Sequence, residues 1–431
     1  MSKEKNRKNF SKYVSQNILG MIGFSCYVLA DSYFISIAKG ADGLTALNLV
    51  MPLYSIIFSI GEMIGVGSAI RYAISKIKKD ADADDYFWNA LIWCILSSMI
   101  FVFAGIFFSA DIMRVLGADE HIVAVGNNYT KIFMCFAPMF MCNYVTNAFV
   151  RNDGAPGIAM SATLFSSLFN IVFDYILMFP MNLGMEGAAL ATALSPIIGM
   201  GICSIHFFSK KSSVRLVVCK PSVRKLVAGC QLGISAFVGE MSSAVITLVF
   251  NFVILKLAGN VGVAAYGVVA NIAIVTTAVF NGVAQGSQPL ISSCFGRGDK
   301  DGCTQLKRMG YTTAFVLAAV MYSILFIFAG QFVAVFNSEG SEMLRLYATE
   351  GVKLYFIGIF FAGINIVGGG AFSATEDAFK AAVVSVARGF VLILGAVFVM
   401  SALFGMTGVW LAYAVAEGIT TFIMLVMVLR V

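Results

Sequence analysis

Long apolar stretches separated by short polar connectors fill the chain from Tyr13 to Leu429. Twelve can be drawn, over 13–37, 44–73, 87–109, 127–150, 158–179, 185–208, 231–256, 261–292, 308–336, 346–369, 378–400 and 405–429. A helix needs about 20 mainly apolar residues to cross a hydrocarbon core. The stretches are continuously apolar rather than alternating, which predicts membrane helices and not barrel strands. Those over 44–73 and 261–292 are long enough to tilt or project from the bilayer.

Composition agrees with this pattern. The chain is 59% hydrophobic and 12% charged, with a mean hydropathy of +0.87, whereas a soluble domain carries roughly 25% charged residues. The connectors alternate in charge. Lys3, Lys5, Arg7, Lys8 and Lys12 precede the first span, and Lys210, Lys211, Arg215, Lys220, Arg224 and Lys225 fill the central linker. The Arg71–Lys79 turn and the 296–308 loop are also basic, while the opposite set holds scattered cations such as Lys39, Arg114 and Arg345. The positive-inside rule then puts both termini and the linker of a multi-pass membrane protein in the cytoplasm. The net charge of +6 reports this orientation and not a nucleic-acid partner. No small-residue cleavage motif precedes the first span, so no removable signal peptide is expected. The nine cysteines form no CxxC pair, and His121 and His206 are too few for a histidine-based metal site.

The chain resembles itself. Ala46–Arg71 lies over Ala265–Leu290 without a gap, bringing Gly67-Ser68 onto Gly286-Ser287. Gly184-Met185-Glu186-Gly187 matches Gly405-Met406-Thr407-Gly408, and Ala148-Phe149 matches Ala371-Phe372, followed by Asp153 and Glu376. The offsets fall between 219 and 223. The expected fold is therefore an all-α polytopic membrane protein. It has 12 transmembrane helices in two pseudo-symmetric six-helix lobes around a central cleft. The lobes are 1–208 and 231–431, joined by a cytoplasmic linker over 209–230.

Ionisable residues inside apolar stretches are the candidate chemistry, because a carboxylate at membrane depth must be protonated, paired or hydrated. Asp31 lies well within the first span and Asp174 within the fifth, where Asn170, four residues earlier, shares its face. Such carboxylates are candidates to carry a proton or sodium ion. Glu240 is the acidic candidate of the second half, and Glu62 a weaker one in the first. Asn147, Thr192, Asn251, Asn271, Asn281, Gln285, Gln288 and Asn365 add uncharged polar groups, many of which helix–helix hydrogen bonds would satisfy. Lys131, Lys256 and Lys353 sit near span ends and can snorkel. Arg388 either pairs with Glu417 or reaches the cytoplasmic headgroups, and the second is the expectation. There is no GxxxxGK[ST] loop, no channel-filter or voltage-sensor pattern and no nucleophile–base constellation, so an ATP-driven pump, a channel and an enzyme are disfavoured.

Taken together, the residues Asp31-Ser32-Tyr33-Phe34-Ile35, Gly43-Leu44-Thr45-Ala46-Leu47, Phe149-Val150-Arg151-Asn152-Asp153-Gly154-Ala155-Pro156, Asn170-Ile171-Val172-Phe173-Asp174 and Gln285-Gly286-Ser287-Gln288-Pro289 form a specific set. In these the chain resembles the multidrug and toxic compound extrusion (MATE) family across essentially its whole length. The resemblance implies a secondary antiporter that expels organic cations and other amphiphiles in exchange for H+ or Na+, without a resident cofactor. It places the coupling-ion site on Asp31, Asn170, Asp174 and Thr192, with Na+ as one candidate occupant at Asp31 and Asp174. It places an acidic position on Glu240. Some members carry an aspartate in the tenth span; here that span offers only polar groups such as Asn365, which favours coupling through the first half. A substrate or second-lobe site is expected among Glu240, Glu62, Asn251, Gln285, Gln288 and Asn365. The expected partners are small amphiphilic or cationic substrates and membrane lipids, with the chain acting as a monomer. The runner-up is a flippase for an amphiphilic lipid-linked precursor, which a strongly cationic cleft would favour.

Overall fold

The computed structural model describes residues 3–336 and 340–429. The described residues fold into α-helices: α1 Lys3–Lys78, α2 Asp85–Val115, α3 Glu120–Cys135, α4 Ala137–Asn152, α5 Pro156–Met178, α6 Gly184–Phe207 and α7 Val223–Gly296. They continue as α8 Lys300–Ile327, α9 Ala329–Phe336, α10 Glu342–Tyr355, α11 Ile359–Ala374, α12 Ala378–Val386 and α13 Leu392–Leu429. Among them, 9 stretches are long and apolar enough to cross a membrane, or up to 10 if the bent pair α3–α4 is one span. The protein is thus an all-α, multi-pass membrane protein.

Three long helices are broken by glycine. Gly40 in α1, Gly259 in α7 and Gly405 in α13 adopt φ of 57°, 62° and 57° with ψ far from helical, a conformation only glycine reaches without strain. Gly184, at φ 52°, opens α6 at the position that the internal match lays over Gly405. Gly40 and Gly259 stand 219 positions apart, the same spacing as the first sequence match. The backbone exceptions therefore repeat along with the sequence.

Several predicted spans differ in detail. The stretch over 127–150 is two helices bent by 46° at Phe136, because Pro138 cannot donate to the preceding turn. The stretch over 308–336 divides between α8 and α9 at Phe328. The one over 378–400 contains a π-turn at Ala387–Val391. The spans over 44–73, 231–256 and 261–292 extend further into the linker-side connectors, as far as Lys78, Val223 and Gly296.

The two largest hydrophobic cores lie mainly one in each half, although Phe10 and Val14 of α1 join the second and Leu232 of α7 joins the first. Trp410, Phe250, Tyr266, Phe280 and Phe356 centre the second, while Phe133, Phe149, Tyr72 and Met141 centre one of those in the first. Large side chains such as Ile100, Phe103, Phe107, Ile327, Leu403 and Phe422 are exposed, as a lipid-facing surface requires. Between the halves, α1 meets α7 backbone to backbone. A Cβ on Gly67 would stand 2.0 Å from Gly229 O, and one on Gly233 1.9 Å from Met63 O. Gly282 and Gly286 close in the same way on Ile18 and Val14. Small residues permit this approach, and all four contacts lie toward the linker end of their helices. At that end Arg71 pairs with Glu376 and donates from Nε to Ala228 O at 3.1 Å, and Lys78 reaches Glu376 at 3.4 Å. Asp153 anchors the linker there, taking hydrogen bonds from Ser213 N at 2.9 Å and Ser212 Oγ at 3.1 Å and lying 2.8 Å from His206 Nε2.

Candidate functional site: a carboxylate pair beside a cleft between halves

Asp31 and Asp174 converge in the first half. They interact electrostatically, and their exposures are 7% and 0%. Three helices approach closely here. Gly187 lets α6 run against the backbone of α5 at Leu177, and Gly23 lets α1 lie against Leu164. Asn170 and Thr192, both buried, join α5 to α6. In the amide orientation that satisfies its neighbours, Asn170 donates to Asp174 Oδ2 at 3.0 Å and accepts from Thr192 Oγ1 at 3.1 Å. Thus Asn170, Asp174 and Thr192 are joined by hydrogen bonds, and Asp31 lies within electrostatic reach of Asp174. Asp31 Oδ1 and Asp174 Oδ1 are buried without a hydrogen-bonding protein partner. A buried carboxylate oxygen in that state is costly unless it takes up a proton or a cation. The donors are hard oxygens, which suits a proton or an alkali cation and not a thiolate- or imidazole-bound metal. No group of three His, Cys, Asp or Glu placed to hold a metal ion occurs among the described residues.

The sequence reading missed the phenols around this pair. Tyr27, Tyr54 and Tyr129 all lie within electrostatic reach of Asp31 and Asp174, and the Tyr54 and Tyr129 hydroxyls hydrogen-bond each other. Tyr27 precedes Asp31 by four residues, so its place on the same helix face was a usable signal.

Tyr27 also lines a cavity of about 110 Å³ between the halves, together with Phe24, Phe58, Tyr144, Glu62, Arg151, Glu240 and Gln285. A second cavity of about 70 Å³ shares Glu62, Glu240 and Gln285 and extends to Asn281, Gln288, Asn365 and Arg388. Most of the expected second-site residues therefore meet in one cleft, with Glu62 reaching it from α1 and Glu240 from α7. Asn251 is the exception and lines neither cavity. Asn365 is occupied as a clamp: it donates to Glu417 Oε2 at 2.7 Å and accepts from Thr421 Oγ1 at 3.0 Å.

Two arginines enter the cleft. Arg388 does not reach the headgroups, contrary to expectation; its Nη2 lies 2.6 Å from Glu417 Oε1. The π-turn at Ala387–Val391 sits at this residue, and desolvating a guanidinium in the second core is compensated by the buried carboxylate and its hydrogen bonds. Arg151 is 4% exposed, and the motif that contains it assigns it no role. The signal was present, since a cation one residue after apolar Val150 near the end of a span calls for a partner. Lys256 and Lys353 lie over the rings of Phe252 and Phe326, at 4.0 and 5.3 Å from the ring centres.

The MatE family model matches residues 17–176 and 236–399. This chain belongs to the MatE family. The MatE protein is similar to the multidrug export protein MepA of Staphylococcus aureus strain MRSA252, with 28% identity over 414 residues, 93% of this chain and 89% of the relative. MepA of Staphylococcus saprophyticus is 26% identical over 405 residues, again covering 93% and 89%. Among solved structures, an outward-facing multidrug resistance MATE transporter of the MOP superfamily superposes with a TM-score of 0.89 at 20% identity, over 99% of this MatE protein and 96% of that chain. A MOP superfamily transporter from Pyrococcus furiosus, described as having a binding pocket of reverse polarity, superposes at 0.90 with 20% identity over 98% and 95%.

Proposed function

We propose that this MatE protein is a cation-coupled antiporter that exports organic cations and amphiphilic drugs across the cytoplasmic membrane by alternating access. H+ or Na+ is the coupling ion. The observation that carries the reading is the buried pair Asp31–Asp174, each with an unpartnered oxygen and Asp174 held by Asn170, which Thr192 supports. A cation arriving from outside neutralises this pair and changes what α1 can pack against. Substrate then leaves the cleft, and loss of the cation inward restores the charge that holds a cationic substrate. Coupling requires that ion and substrate favour different shapes. No covalent step enters the cycle.

Twelve spans in two six-helix lobes, 1–208 and 231–431 with a linker over 209–230, complete the reading. The glycine breaks at Gly40, Gly259 and Gly405 divide α1, α7 and α13. Unbroken, the 74 residues of α7 would be about 110 Å long, far beyond a bilayer core of about 30 Å. The basic connectors place both termini and the linker inside, and each chain works as a monomer. A cleft that mixes Glu62 and Glu240 with Arg151 and Arg388 is not the uniformly basic surface that a phosphate-bearing lipid precursor would need.

The test is a panel of organic cations and neutral amphiphiles in proteoliposomes under a proton gradient alone and a sodium gradient alone. Uphill movement of the cations under one gradient, abolished by its collapse, is expected. Movement indifferent to both gradients would contradict the proposal.

A further inference from the structure

A groove of about 580 Å³ runs between α1 of the first half and α8 of the second. Arg7 and Arg308 line one end of it, and Val14, Ile18 and Leu317 line the other. Both helices start on the linker side, α1 in the basic tail and α8 within the basic 296–308 loop. The arginines therefore lie toward that side and the apolar residues deeper. At about 1.5 Å per residue, Ile18 stands about 16 Å beyond Arg7, and Leu317 about 14 Å beyond Arg308. Half of a bilayer core is about 15 Å thick. The groove is thus charged at headgroup depth and apolar over the depth of one leaflet. Ser11 and Thr312, each about one turn deeper than its arginine, line it between the two zones.

The two charges have no internal answer. Among the described residues neither Arg7 nor Arg308 makes an ion pair, and no carboxylate lines the groove. The walls are nonetheless fixed in place. Asn6 Nδ2 donates to Gln305 Oε1 at 3.2 Å and Gln305 Nε2 to Lys3 O at 3.1 Å, which ties α1 to α8 beside the arginines. Phe10 and Val14 are packed into the core of the second half.

We propose that this groove holds one anionic glycerophospholipid of the linker-side leaflet, its phosphate on Arg7 and Arg308 and an acyl chain along Val14, Ile18 and Leu317. Basic pockets between membrane helices suit anionic headgroups, and a guanidinium fork suits a phosphate. A zwitterionic headgroup would bring its own ammonium to the same place. A soluble anion would leave the apolar length of the groove unused. The lipid touches both halves and forms part of their junction, apart from the cleft and whatever substrate the cleft takes.

Native mass spectrometry of the full chain tests this, with the protein released from micelles that hold equal amounts of phosphatidylglycerol and phosphatidylcholine with the same chains. The intact protein should retain one lipid, with phosphatidylglycerol preferred. Arg7→Gln and Arg308→Gln should each lower that preference about fivefold. Thr312→Trp fills the groove from exposed positions of α8 and should lower retention of both lipids while the arginines remain. Lys210→Gln/Lys211→Gln, in the exposed linker, should change neither preference nor retention. An undiminished preference in both arginine variants would overturn the site. An equal drop in the linker variant would reduce it to diffuse surface charge and overturn it as well. Displacement of phosphatidylglycerol by an equal concentration of glycerol phosphate would overturn the lipid as occupant in favour of a soluble anion.

Discussion

Asp174→Asn is expected to abolish gradient-driven accumulation of substrate while the protein still folds and inserts. Asp174 is fully buried, held by Asn170 on one oxygen and unpartnered on the other. Asparagine keeps the volume and much of the hydrogen bonding, but it can neither bind and release a proton nor hold a sodium ion by charge. Coupling free energies between two ligands typically correspond to about a 5–150-fold change in affinity. In the variant that factor should collapse to near one, leaving only downhill exchange. Asp31→Asn should behave in the same way, because the two carboxylates act as a pair and removing either charge leaves the other without its neighbour. The measurement is the steady-state accumulation ratio in proteoliposomes, with counterflow of labelled substrate as the control for a folded carrier. Full accumulation in both variants would remove the coupling role from this pair.

Gly67→Leu is expected to hold the linker side open. A Cβ at this position would meet Gly229 O at 2.0 Å and Gly233 N at 2.7 Å, and backbone atoms cannot rotate away as a side-chain tip can. Forcing extra methylenes into a packed contact costs about 1–3 kcal/mol, or a factor of about 5 to 150 in the balance between two shapes. The contact joins α1 to α7 across the halves, beside a core that Val66 and Leu232 share, so the cost falls on the closed shape as well as on folding. Labelling of Cys230, which adjoins Gly229, by a membrane-impermeant maleimide from the linker side should rise at least about fivefold when it is the single retained cysteine. Transport should fall in parallel. Unchanged labelling with normal transport would show that the α1–α7 contact is not a barrier that opens and closes.

Much of this was legible in the chain because a bilayer makes local rules strict. Apolar runs had to be helices, and intramembrane carboxylates had to be functional or paired. Asp31, Asn170, Asp174 and Thr192 could be singled out for that reason and for their family resemblance; Asn170, Asp174 and Thr192 are hydrogen-bonded together, with Asp31 within electrostatic reach of Asp174. The repeat was legible as well, and it reappears in the backbone at Gly40 with Gly259 and at Gly184 with Gly405. What was not legible depends on how the halves meet. Nothing local says that Gln285 reaches Arg151 across a separation of 134 residues, or that Arg71 and Glu376 share an interface. Arg388 illustrates the same limit at shorter range. Its distance from a span end suggested snorkelling, but the π-turn and the buried Glu417 turn it inward. Asn251 failed for a simpler reason, since a polar residue in an apolar run signals a contact without saying which one.

Proton and sodium stoichiometry in the purified protein bears most directly on the carboxylate pair. Substrate is released by dilution in weakly buffered detergent solution while a pH dye follows protons and 23Na resonance follows sodium. The intact protein should take up one of the two ions as substrate leaves, and the Asp31→Asn/Asp174→Asn double variant should bind and release substrate while taking up neither. Ion uptake of the same size in the double variant would contradict the account.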